Sequence, residues 1–144
     1  MKTVIIDDDI FFSDLLKNKL KKFGFTTNHQ FEYAQMVYET NFHADVIFVD
    51  YHLKDEKCSR LLSYLNTKHA KAFIILMSNN EYADLLAPEG EFLYFFKKSK
   101  IKYLKFRINY LKKRILKRRE GILQIRNVFM AIPVIVAIIL ILMY

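Results

Sequence analysis

Much of what would steer this chain toward other classes of protein is scarce or missing. A single cysteine, Cys58, excludes an intramolecular disulfide and fits a reducing compartment for the folded part. Three glycines and two prolines in 144 residues go with the lack of any low-complexity linker, and no internal repeat is present. No apolar targeting segment opens the chain, because Asp7, Asp8 and Asp9 interrupt the first apolar run almost at once. Acidic charge is nearly absent from the last third: residues 98–144 carry 12 Lys and Arg against 1 Asp or Glu, a net +11, whereas residues 1–97 carry 11 against 14, a net −3. The formal charge of +8 therefore belongs to the tail. Residues 128–144 carry no charge at all.

What is present suits one domain of ordinary size plus an appendage, with 53% hydrophobic and 15% aromatic residues available to build a core. Four short apolar runs, 4–6, 46–49, 73–77 and 92–96, read as buried parallel strands. A fifth, 25–31, is more polar and reads as an edge strand. Between them lie helical patterns: Ile10, Phe11, Leu15, Leu16, Leu20 and Phe23, with Gly24 placed to end that helix; a short helix over 32–39; Leu61, Leu62 and Leu65; a short fourth helix over 81–87; and a fifth from residue 100 onward. Alternation of this kind predicts an α/β fold, a five-stranded parallel sheet with helices on both faces.

The fifth helix does not stop where a domain helix would. Ile101, Leu104, Ile108, Leu111, Ile115, Arg118, Ile122, Ile125, Phe129 and Ile132 fall in alternating steps of three and four, a stripe that can pack on the sheet or form a coiled-coil seam between two copies. Gly121 weakens it locally. The 17 residues of 128–144 would span roughly 26 Å as a helix, and starting at Ile122 extends this to about 35 Å, enough for a hydrocarbon core of about 30 Å. Pro133 is tolerated in such a helix, and Arg126 can snorkel to the headgroups. The basic run of Lys112, Lys113, Arg114, Lys117, Arg118 and Arg119 would hold the preceding domain on the cytoplasmic side. Nucleic acid is the competing partner for a basic stretch, but it leaves the apolar run unexplained. The expected division is therefore a domain over 1–119 and a transmembrane segment over 120–144.

Polar residues stand where the apolar runs stop: Asp7, Asp8, Asp50, Ser78 and Lys97. Parallel strands share one carboxyl rim, so these residues would converge there. Three acids, a hydroxyl and an amine at one rim suit a divalent cation and a phosphoryl group. Each has a simpler role available as well. The aspartates can cap the first helix, Asp9 first among them, Ser78 can cap the fourth, and Lys97 can belong to a solvated basic face. Asp50 is harder to explain so, because an acid after a buried strand is costly without a partner.

Over residues 2–115 the pattern resembles the receiver domain of two-component response regulators. The likeness is carried by Val4-Ile5-Ile6-Asp7-Asp8-Asp9, by the run from Ala44 through Asp50 to Leu53, by Ile74-Ile75-Leu76-Met77-Ser78, and by Tyr94-Phe95-Phe96-Lys97. That resemblance implies a doubly wound flavodoxin-like sheet of order 2-1-3-4-5. It implies Asp50 as phosphoacceptor, Mg²⁺ held by Asp7, Asp8, Asp50 and the backbone carbonyl of His52, Lys97 and Ser78 on the phosphoryl oxygens, and Ser78 and Tyr94 as switch residues. It also implies a histidine kinase or phosphotransfer protein as donor.

The expected function is thus a membrane-anchored receiver at the bacterial inner membrane, domain in the cytoplasm, with output through an effector protein and not through DNA or catalysis. Four positions depart from the family's usual residues: Lys54 and Lys98 stand for proline, Cys58 for glycine and Asn79 for alanine. They favour an alternative, a phosphorylation-independent receiver serving as a dock in a membrane complex. An enzyme reading, from the likeness of Asp7 and Asp9 to haloacid-dehalogenase-type phosphatases, lacks the late pair of acids that family uses.

Overall fold

In the computed structural model, residues 1–79, 93–105, 108–117 and 120–121 are described. Five strands, β1 (Lys2–Ile6), β2 (Thr26–Phe31), β3 (Val46–Asp50), β4 (Phe73–Ser78) and β5 (Leu93–Lys97), form one sheet in the order β2-β1-β3-β4-β5. Every neighbouring pair is parallel. The helices α1 (Ile10–Lys22), α2 (Ala34–Glu39) and α3 (Cys58–Lys68) fill the connections described in full.

Burial follows from strand chemistry. β3 and β4 are buried at every position, as a central strand covered on both faces must be, while β2 is largely exposed or half-buried, as an edge strand can be. Side chains alternate across the sheet. Val4, Ile6, Ile47, Val49, Ile74 and Leu76 pack on one face with Ala34 and Val37 of α2 and Leu61, Leu62 and Leu65 of α3. The alternation leaves fully buried Ile5 and Phe48 to the other face, and α1 lies against β1 and β2.

Local signals place the ends of α1. The Asp9 side chain accepts a hydrogen bond from the Phe12 N–H at 3.0 Å and caps its start. At its end Gly24 adopts φ 76°, and the N–H groups of Gly24 and Phe25 return to the carbonyls of Lys21 and Leu20 at 3.0 and 3.2 Å. Only a residue without a Cβ takes that left-handed turn cheaply, so Gly24 sets where the chain enters β2.

The expected helix from residue 100 differs at its start. Lys98–Tyr103 is a 3₁₀ helix with Lys100 off helical geometry, and α-helix begins only at Leu104. The expected fourth helix over 81–87 lies outside the described residues. The chain divides into two compact units, Met1–Lys105 and Phe106–Tyr144, and the 119/120 boundary drawn from sequence falls within the second. In that second unit 108–117 is helical, with Ile108, Leu111 and Ile115 buried along the expected stripe. Among the described residues no helix is long and apolar enough to cross a membrane; the segment 122–144, where a span was expected, lies outside them.

Candidate functional site

Because all five strands are parallel, the chain leaves each at the same rim. Asp7 follows β1 directly and its N–H donates to the Phe31 carbonyl at 2.9 Å, which fixes its backbone against the end of β2. Asp50 ends β3 and Ser78 ends β4. Asp7, Asp50 and Ser78 are 1%, 5% and 1% exposed, values that polar residues rarely reach unless they have partners. Carboxylate oxygens of Asp7, Asp8 and Asp50 lie within 4.8 Å of one another.

The amine that joins the acids is Lys98, not the expected Lys97. Lys98 Nζ donates to Asp50 Oδ2 at 2.7 Å and to Asp7 Oδ1 at 2.9 Å, and stands 4.9 Å from the centroid of the Phe12 ring. The reason is strand length. Residues 92–96 read as the apolar run, but β5 runs on to Lys97, whose backbone still pairs in register with Ser78. Lys98 is therefore the first residue beyond the sheet, the place that Lys97 takes if the strand stops at Phe96. Nothing in two adjacent lysines distinguishes them at the level of sequence.

The electrostatics are those of a site short of positive charge. Burial, reinforced by the Asp50 charge, pushes the Asp7 carboxyl up to about 6, although hydrogen bonds from Lys98 and the Asp9 N–H oppose the rise. Burial by itself would lower Lys98, but its bonds to Asp50 and Asp7 outweigh this and hold the ammonium above its ordinary value. Asp7 Oδ2 is buried and makes no hydrogen bond, even though Lys98 Nζ lies 2.8 Å away in ionic contact. Asp8 pairs at 3.2 Å with Lys54, an exposed side chain from the loop after β3.

These residues fit a hard divalent cation. The donor set is all carboxylate oxygen, one of those oxygens is buried without a hydrogen bond, and two ammonium groups leave three carboxylates with a net negative charge. Asp7, Asp8 and Asp50 would hold the ion. His52 lies two residues past Asp50, in an isolated bridge with Lys57. The expected switch residue Tyr94 is placed in β5 opposite Ile75, and its side chain lies outside the described residues.

Sequence reasoning missed three contacts besides Lys98: the Phe12 ring beneath the ammonium, the Lys54 pairing, and the side chain of Asn79, which accepts from the Ser99 N–H at 2.8 Å. Asn79, which stands where the resembled family usually has alanine, thus engages the residue after Lys98. Cys58 is buried, and burial together with the charge of Asp50 pushes its thiol up to about 12, so it is not a reactive thiolate.

No protein-family model and no curated protein matches this sequence. Solved structures do. A response regulator protein from Thermotoga maritima, solved in complex with Mg²⁺ and BeF, aligns over 76% of this chain and 97% of its own at 20% identity with a TM-score of 0.64. The receiver domain of a Francisella response regulator aligns over 78% and 97% at 23% identity and 0.62. A signal receiver domain of an HD domain-containing protein from Pseudomonas fluorescens aligns over 83% and 91% at 18% identity and 0.66. The fold is the receiver fold. The strand order expected from the resemblance, 2-1-3-4-5, is the order observed. Within the receiver fold the acid cluster sits at the carboxyl rim, outside the ends of β1 and β3, where ligands of open α/β sheets bind.

Proposed function

We propose that this chain is a phosphoacceptor receiver of a two-component relay, with Asp50 as the acceptor. The observation that carries the reading is the convergence of Asp7, Asp8 and Asp50 at the carboxyl rim, with the Lys98 ammonium joining Asp7 and Asp50. Asp50 Oδ would bond to phosphorus as the phosphorus–nitrogen bond of a phosphohistidine donor breaks. Bound Mg²⁺, held by Asp7, Asp8, Asp50 and the His52 carbonyl, would neutralise charge on the phosphoryl oxygens. Lys98 takes the role of point charge on one phosphoryl oxygen in place of Lys97, and Ser78 takes another through its hydroxyl. The spacing that led from Lys97 to Tyr94 leads from Lys98 to Phe95, which is half-buried and packs on the core, so both are switch candidates.

Around this chemistry we place a signalling protein and not an enzyme, held at a bacterial inner membrane by residues 120–144 with the receiver in the cytoplasm. A histidine kinase or phosphotransfer protein supplies the phosphoryl group, and output runs through contacts with an effector protein. The net +11 of residues 98–144 beside an uncharged run supports the anchoring.

The test is Mg²⁺-dependent binding of beryllofluoride to the full-length chain in lipid nanodiscs, compared with Asp50→Asn and followed by amide NMR. Saturable binding by the wild type alone, with shifts at Ser78 and in β5, is the expected result. Binding that survives Asp50→Asn would remove Asp50 as acceptor, and a folded wild type that binds nothing would leave the constitutive dock.

A further inference from the structure

The position of Lys98 needs an explanation of its own, because the ammonium is held by the acids but the backbone that carries it lies beyond the last sheet hydrogen bonds. The ladder between β4 and β5 ends at the Ser78 and Lys97 pair. The 3₁₀ helix that follows, Lys98–Tyr103, has Lys97 as its N-cap, and Lys97 makes no capping bond with its side chain. The first N–H groups of such a helix have no partner within it. Ser99 is the second residue of this one, and its N–H is taken by Asn79 Oδ1 at 2.8 Å, from the end of the neighbouring strand. Asn79 thus extends the contact between β4 and β5 one step past the ladder, with a side chain in place of backbone.

Both ends of this bond touch the site. Asn79 directly follows Ser78, and Ser99 directly follows Lys98. We propose that Asn79 is a positioning residue that clamps the Lys98 turn to the end of β4 and so keeps the Lys98 ammonium and the Ser78 hydroxyl at a set separation across the acid cluster. The proposal rests on the receiver reading for what the two groups would share, a phosphoryl group on Asp50. The clamp itself is a property of the chain without any ligand. It also gives a role to Asn79, one of the four departures from the family's usual residues: the Ser99 N–H needs an acceptor, and the Asn79 amide oxygen reaches it.

The test uses the full-length chain in lipid nanodiscs with ¹⁵N-labelled lysine. An ammonium bonded to two buried carboxylates is shielded from exchange, and its signal is assigned by its loss in Lys98→Arg. In Asn79→Ala that signal is expected to broaden or disappear, and beryllofluoride affinity in Mg²⁺ to weaken by about three- to tenfold, the range of one hydrogen bond. Asn79→Asp, which still offers an oxygen to the Ser99 N–H, is expected to restore the Lys98 signal. Amides of β1 and β3 serve as the control, since a loss of general stability would move them too. An Lys98 signal unchanged in Asn79→Ala, or lost equally in Asn79→Asp, overturns the clamp. If the wild type binds no beryllofluoride while its Lys98 signal still depends on Asn79, the clamp stands and the phosphoacceptor reading falls.

Discussion

The carboxyl rim of the sheet and the aromatic cluster between α2 and α3 are built from opposite kinds of interaction. At the rim two buried acids meet one buried ammonium, and burial disfavours every charge involved. In the cluster, Tyr64 meets Tyr38 edge to face at 4.7 Å and His69 stacks on Phe42 at 4.1 Å, bordering a groove of about 600 Å³. Ring pairs of this sort add stability beyond the area they bury. The first region sacrifices stability for a set of charges in fixed positions, and the second supplies stability with no comparable set of acids. A site that is costly to fold is where a cation or a phosphoryl group has most to offer.

Breaking the aromatic region should have the largest effect on folding. Phe42→Ala removes the ring that stacks on His69 and is expected to cost about 4 kcal/mol in a denaturant melt, with the Asp50 site unaltered. At the rim, Lys98→Ala leaves Asp7 and Asp50 facing each other without their cation and should cost about 3 kcal/mol at pH 7. Mg²⁺ should recover a large part of that loss, whereas Lys97→Ala should cost clearly less. Equal losses for the two lysines would overturn the assignment of Lys98 as the amine that serves Asp7 and Asp50.

The two regions should also answer pH in opposite directions. Burial pushes the Asp7 carboxyl of the folded state up to about 6 from an ordinary value of 3.8, so the folded state holds the proton more tightly in that window. Its contribution is greatest below the lower value and is lost as pH rises through the upper one. His69 is shifted down from 6.5 by burial and then by His43 and Lys68, so its contribution is lost as pH falls below the ordinary histidine range. In metal-free protein, urea midpoints measured from pH 4 to 7 should therefore lose a falling component in Asp7→Asn and a rising component in His69→Phe. Mg²⁺ should suppress the first and leave the second.

The smallest expected effect concerns Lys54, an exposed side chain paired with Asp8. A cation entering at Asp8 must displace it, so Lys54→Ala should tighten Mg²⁺ binding by about two- to fivefold in a calorimetric titration, the scale of an exposed ion pair. Unchanged affinity would show that Asp8 and Lys54 do not hold each other in solution.

Much of this was legible residue by residue. β3 reads as buried because Val46, Ile47, Phe48 and Val49 leave no polar side for water, and it is buried throughout. The end of α1 is written in Gly24, and its start in Asp9. Asp7, Asp8 and Asp50 fall together because strand ends must meet when all strands run parallel. The polar sequence of β2 marks it as an edge strand, and there it lies.

What sequence alone determined, then, is the alternation of apolar runs and helical stripes, and with it a parallel sheet whose carboxyl rim collects the acids. That information is local, since three or four adjacent apolar residues already specify burial. Tertiary structure alone decided which lysine serves those acids and what holds it there. Strand length at β5 is set by pairing with Ser78, a residue nineteen positions away, and one further paired residue moves the site from Lys97 to Lys98. The same holds for Asn79, whose side chain can take the Ser99 N–H only after two separate strands have been brought to the same rim.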